Sequence, residues 1–145
     1  MATETDIKRV KSLIVEAEKL GLDGIEMVKS LPVEEVAKEF NGIGPAWWPD
    51  WLRDLLSGLL CIFLPACMIH DIEYKLADGS KEAFHAANRR LGANCAKTAK
   101  AMYAWYDPLR YYYLKQAKRV ETACEIAGWI AYKQAHETSN NKENT

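Results

Sequence analysis

The sequence predicts an all-α protein, a small helical bundle with two long antiparallel helices. Apolar residues recur at three- and four-residue intervals over most of the chain, and no stretch alternates convincingly as a strand. Breaks at Gly21, Pro32, Asn41–Pro45, Asp78–Ser80 and Asp107–Pro108 cut it into helix-length pieces joined by short connections. At 145 residues there is material for one domain around one core. That domain is expected over 1–136, with a disordered tail over 137–145, where the residues turn polar and the apolar face is lost.

The first helix is expected over Glu4–Leu20, with Ile7, Val10, Ile14 and Ala17 on one face, and Gly21 ending it. A short helix follows Asp23, and Pro32 opens another over Val33–Phe40. Asn41–Pro45 reads as a loop. Ala46–Phe63 then forms a tryptophan-led apolar helix, and a separate helix runs over 65–77, with Leu64, Met68, Ile72 and Leu76 at helical spacing. After a tight turn at Asp78–Ser80, a long helix extends from Lys81 to about Tyr106 on a stripe of Phe84, Leu91, Cys95, Thr98 and Met102. Asp107–Pro108 restarts the chain as a last helix with its seam at Leu109, Tyr113, Ala117, Val120, Cys124, Ala127 and Ala131.

A net charge of −1 supplies no general pull toward nucleic acid or anionic membranes, and no nucleic-acid partner is expected. The N-terminal residues are polar and carry no apolar signal core, so cytoplasmic synthesis without a secretory signal is expected. Leu55–Ile69 is the most apolar run, but Ser57, Gly58 and Pro65 break it, and it falls short of the roughly 20 residues of a membrane-spanning helix. Cys61, Cys67, Cys95 and Cys124 sit in apolar helical stretches without metal-ligand spacing, which favours reduced core thiols over disulfides.

The chemistry concentrates in Pro65–Tyr74. On a helix His70 and Tyr74 share a face, while Asp71 is rotated by about 100° and looks toward a cation or a basic group. Asn88 lies within the apolar stripe of the long helix, spaced four, three and four with Phe84, Leu91 and Cys95. Burying its amide unpartnered would cost about 1–3 kcal/mol. Nine positions separate His70 from Gly79, and nine more reach Asn88, so the turn folds the two to a similar height. Asn88 then either partners His70 and Tyr74 or sits at the stripe's edge bonded to water. The Gly42-Ile43-Gly44 loop reads by itself as a turn; beside an acid, its glycines would let backbone carbonyls converge on a hard cation.

His70-Asp71-x-x-Tyr74, with Cys67 three residues before the histidine, resembles the active-site helix of the phospholipase A2 superfamily. Phe40-Asn41-Gly42-Ile43-Gly44 is similar to that superfamily's calcium loop, and the likeness is closest to small bacterial, phage-encoded and parvovirus-capsid members. It covers roughly Phe40 to Cys95 and implies a Ca²⁺-dependent hydrolase of phospholipid sn-2 esters acting at a phospholipid membrane surface. His70 would be the general base, Tyr74 would hold the network behind it, and Asp71 with the carbonyls of Phe40, Gly42 and Gly44 would bind Ca²⁺. The Gly42 N–H would face the oxyanion. The phage likeness implies delivery by particle or lysis.

Three features depart from the family pattern. Asn88 stands where the family has a second acid; its amide oxygen can accept from His70 but lacks the negative charge, and Asn88→Asp is expected to raise or preserve activity. Gly44 to His70 spans 26 positions, longer than usual. There is no β-hairpin between the long helices and no disulfide framework. Trp47, Trp48 and Trp51 read as an interfacial patch or as lids on the core, with at least one expected in each role. Two other readings stand beside the hydrolase: a phospholipase-like lipid-binding or structural module without turnover, in a phage particle or lysis system, and a membrane-perturbing helical protein.

Overall fold

The computed structural model describes residues 2–40 and 50–143, the backbone alone over 50–61, at 131 and 135, and over 138–143. The expectations for Gly42, Gly44, Trp47 and Trp48 fall outside the described residues, as does the side chain of Trp51. The described chain is all helix and turn: α1 Glu4–Leu20, α2 Ile25–Lys29, α3 Val33–Glu39, α4 Asp50–Leu76, α5 Lys81–Met102 and α6 Pro108–Glu143.

Local chemistry sets the boundaries. Thr3 and Asp6 form a reciprocal capping box that satisfies free amides at the start of α1, and Gly21 closes it at φ 64°. The Ser80 hydroxyl accepts from the Ala83 amide at 3.2 Å at the start of α5, and Gly79 turns the chain at φ 85°. Asp107 accepts from the Leu109 amide at 3.0 Å and Pro108 takes the first position of α6, where a missing N–H costs nothing.

Three of the predicted boundaries differ. Pro65 does not separate two helices: α4 runs through it for 27 residues. An interior proline removes one helical donor, a cost of about 3 kcal/mol or more, but Phe63, Ala66, Met68, Ile69 and Ile72 around it are all buried and hold the helix against its neighbours. α5 stops at Met102, four residues early, because Tyr103 takes an extended conformation (φ −125°, ψ 134°) ahead of the Asp107–Pro108 break. α6 continues helically to Glu143, past the point where the apolar face fades.

α4, α5 and α6 pack on one another, most extensively α5 on α6 and α4 on α5, and α1, α2 and α3 each pack on α4. A reciprocal pair of bonds between Asn94 and the Asp23 backbone (2.9 and 2.8 Å) ties the α1–α2 turn to α5. Cys67, Cys95 and Cys124 are free thiols; burial pushes the Cys124 thiol up to about 12, and those of Cys67 and Cys95 are raised well above the usual range. No helix among the described residues is long and apolar enough to cross a membrane.

Candidate functional site

The two short turns fix the registers that build the site. The Gly79 turn brings α4 and α5 together so that His70 meets Asn88, and the turn before Pro108 brings α5 and α6 together so that Asn88 meets Glu125. His70, Asn88 and Tyr74 therefore converge, which decides between the two alternatives that the spacing leaves open. His70 Nε2 lies 2.9 Å from Asn88 Oδ1, and the Tyr74 hydroxyl donates to the same oxygen at 2.5 Å. Asn88 is fully buried and His70 is 5% exposed.

Glu125 decides which way the amide points. Asn88 Nδ2 donates to Glu125 Oε1 at 3.2 Å, and His85 Nδ1 meets the other oxygen, Oε2, at 2.6 Å. A carboxylate only accepts, so flipping Asn88 would set its oxygen against Glu125. With Oδ1 held toward His70, Nε2 carries the proton and Nδ1 keeps the free lone pair. Nδ1 lies on the side of Asp71, 3.9 Å from its Oδ1, too far for a hydrogen bond. Burial lowers the His70 pKa to about 4 against the opposing effect of the Asn88 bond, so the imidazole is neutral near pH 7.

Aromatic packing holds Tyr74 in place. Its ring lies 4.0 Å from that of His70, and Tyr132 and Phe84 flank it at 5.2 and 5.8 Å. Burial raises the Tyr74 phenol far above its usual range, which keeps it a donor. Gly128 admits this arrangement, since a Cβ there would sit 3.0 Å from the Tyr74 hydroxyl. His136 lies within hydrogen-bond reach of the Tyr74 carbonyl through Nε2 at 3.1 Å and packs on Tyr132.

Asp71 is differently placed. Its side chain keeps 32% of its exposure, and among the described residues no lysine or arginine pairs with it. Burial of its surroundings, then the charge of Glu39, raises its pKa to about 7. Glu39 is close because Lys75, one turn along α4, binds Glu39 at 2.7 Å and Glu35 at 3.2 Å and so pins the end of α3. Phe40 follows directly, buried at the C-cap of α3. Asp71 is thus an acid held partly protonated beside another acid, with no basic partner among the described residues. No group of three or more His, Cys, Asp or Glu side chains among the described residues could hold a metal.

Glu125 and His85 are the site residues that sequence reasoning missed, since neither has a partner nearby in the chain and Glu125 stands beside an apolar seam. Reflection through the second turn would have found the acid, since Asn88 lies 19 positions before Asp107 and Glu125 lies 18 after it. No protein-family model matches the chain, and neither a curated protein nor a solved structure does.

Proposed function

We propose that the chain is a Ca²⁺-dependent, phospholipase A2-like hydrolase of phospholipid sn-2 esters. The observation that carries this reading is the orientation of His70, with Nε2–H tied to an amide that Glu125 prevents from flipping, and Nδ1 free beside an acid without a basic partner. His70 Nδ1 draws a proton from the water that attacks the ester carbonyl, then returns it to the glycerol oxygen as the ester bond breaks. Asn88 and Tyr74 hold the ring through that cycle, and the Glu125 carboxylate behind the amide favours the transient imidazolium. Asp71 and the backbone of Phe40 would hold Ca²⁺ together with Gly42 and Gly44, and the ion would supply charge stabilisation to the developing oxyanion. The test is fatty-acid release from mixed phospholipid vesicles with Ca²⁺ against chelator, for the wild type and His70→Ala. Release that needs both Ca²⁺ and His70 supports the hydrolase.

A second reading is a lipid-binding module without turnover. The amide at Asn88 favours it, because the nearest negative charge stands one residue further from the imidazole than an acid at that position would place it. Vesicle binding without release in either condition supports this reading against the first.

A further inference from the structure

The turn between α5 and α6 carries features that the site does not use. Five of the chain's seven tyrosines fall between Tyr103 and Tyr113, with Trp105 among them. Trp105 and Tyr106 are each 72% exposed at the tip of the helical hairpin, in edge contact with one another at 5.6 Å. The turn beneath them is built rather than loose: Tyr103 and Tyr113 stack in parallel at 5.2 Å, Phe63 of α4 packs edge-on to Tyr113, and the Tyr111 hydroxyl donates to the Trp105 carbonyl at 2.8 Å. Two large aromatics are thus held outward by a framework that has nothing else to pack them against.

Basic residues predominate on either side of them in the chain. The whole chain is −1, but residues 97–119 hold six lysines and arginines against the single acid Asp107. Lys100 and Lys115 are exposed, and neither has a carboxylate partner among the described residues. Exposed rings with polar edges on a turn flanked by exposed ammonium groups match the headgroup region of an anionic bilayer, where Trp and Tyr sit at the boundary and Lys and Arg meet phosphate.

We propose that this hairpin tip, led by Trp105 and Tyr106 and rimmed by Lys100 and Lys115, docks the protein on an anionic phospholipid surface. The proposal deepens the hydrolase reading by naming where the protein meets its substrate phase, yet it stands or falls on binding alone.

The experiment is co-sedimentation of the full chain with vesicles of equal parts phosphatidylcholine and phosphatidylglycerol, in chelator and in the His70→Ala background, so that loss of hydrolysis cannot mask or mimic the result. Trp105→Ala with Tyr106→Ala is expected to weaken partitioning by about tenfold or more. Lys100→Glu with Lys115→Glu is expected to do the same and to flatten the dependence on added salt. Circular dichroism checks that each variant stays folded, as the exposure of all four residues predicts. Unchanged binding in the aromatic pair overturns the proposal, as does loss on Trp47→Ala with Trp48→Ala while the Trp105 pair still binds. Preference for a nucleic-acid duplex over vesicles, or a self-association that the Trp105 pair abolishes, likewise overturns it. Tip-dependent, salt-sensitive binding without any fatty-acid release would uphold the docking surface and sink the hydrolase.

Discussion

Around His70 a chain of hydrogen bonds runs from one helix to the next: ring Nε2 bonds Asn88, Asn88 bonds Glu125, and Glu125 bonds His85, with Tyr74 closing on the same amide oxygen. One residue along the same helix, Asp71 has a charged neighbour of its own sign and no basic partner among the described residues. The 100° step between adjacent helical positions is enough to send them into these two environments. The first side holds the ring through Nε2 and leaves Nδ1 free of that network. The second has chemistry left over, an acid whose proton a cation could replace. The contacts that orient the ring and those that set the acid are thus separate, and each can be broken without the other.

The largest effect is expected from removing either side's central group. His70→Ala should lower fatty-acid release by at least the roughly 10²–10⁴ that a general base contributes, while leaving any Ca²⁺-induced change in Trp fluorescence intact. Asp71→Asn should remove both the release and the Ca²⁺ response while the His70 network stays in place, readable from the ring's ¹⁵N tautomer shifts. Were Asp71→Asn to disturb those shifts, the two sides would not be separable.

The next effect sharpens the His70 side and corrects an expectation drawn from sequence. Asn88→Asp looked neutral or favourable when only the histidine was in view. Glu125 changes that, because an acid at 88 loses the donor to Oε1 and faces a second carboxylate at about the 3.2 Å now spanned by a hydrogen bond. Asn88→Asp should therefore destabilise by about 3 kcal/mol, the scale of an uncompensated buried charge, and lower activity. Asn88→Asp with Glu125→Gln exchanges the two groups and restores every bond: the glutamine amide donates to position 88 and its oxygen accepts from His85. Urea unfolding of the two single variants and the double should show strong coupling, with the double within about 1 kcal/mol of wild type. Additive losses would mean that Asn88 and Glu125 do not act through one another.

That pair also marks how far the sequence carried. The all-α class, the extent of α1 and the meeting of His70 with Asn88 were legible because helical periodicity and one short turn determine them. The second reflection, to Glu125, was equally available in the spacing, but an acid beside an apolar seam reads as solvated until the partner helix is known. The partners of His85 and His136 lie 40 and 62 residues away and leave no local trace. Pro65 misled for the opposite reason, since a strong local breaker was overridden by burial on both sides of it.

A third effect separates the two sides by pH. The native value near 4 for His70 lies below the ordinary 6.5, so between these values the unfolded chain binds a proton that the native chain excludes. Its contribution to stability is therefore complete above about pH 6.5 and is lost as pH falls toward 4. Asp71 is shifted the other way and opposes it, so the comparison to make is wild type against His70→Gln, in which Asp71 is common to both. The stability difference between them should move by about 2 kcal/mol against wild type from pH 7.5 to 5. A difference that stays constant would mean that the imidazole is open to protons in the native state.

The smallest expected effect belongs to Asp71. Its native pKa near 7 lies above the ordinary 3.8, so below neutrality the carboxyl holds a proton that an incoming cation must displace. If Asp71 is the ligand, Ca²⁺ affinity should fall roughly tenfold from pH 8 to pH 6, following the fraction of the acid that is ionised. Isothermal titration calorimetry across that range reads the slope directly, and the same titration should show proton release near pH 7. An affinity that stays flat from pH 8 to 6 would place the ion at oxygens other than this carboxylate. The basic nitrogen of His70 would then face a lone acid rather than a metal site, and the hydrolase reading would lose the half of its chemistry that Asp71 supplies.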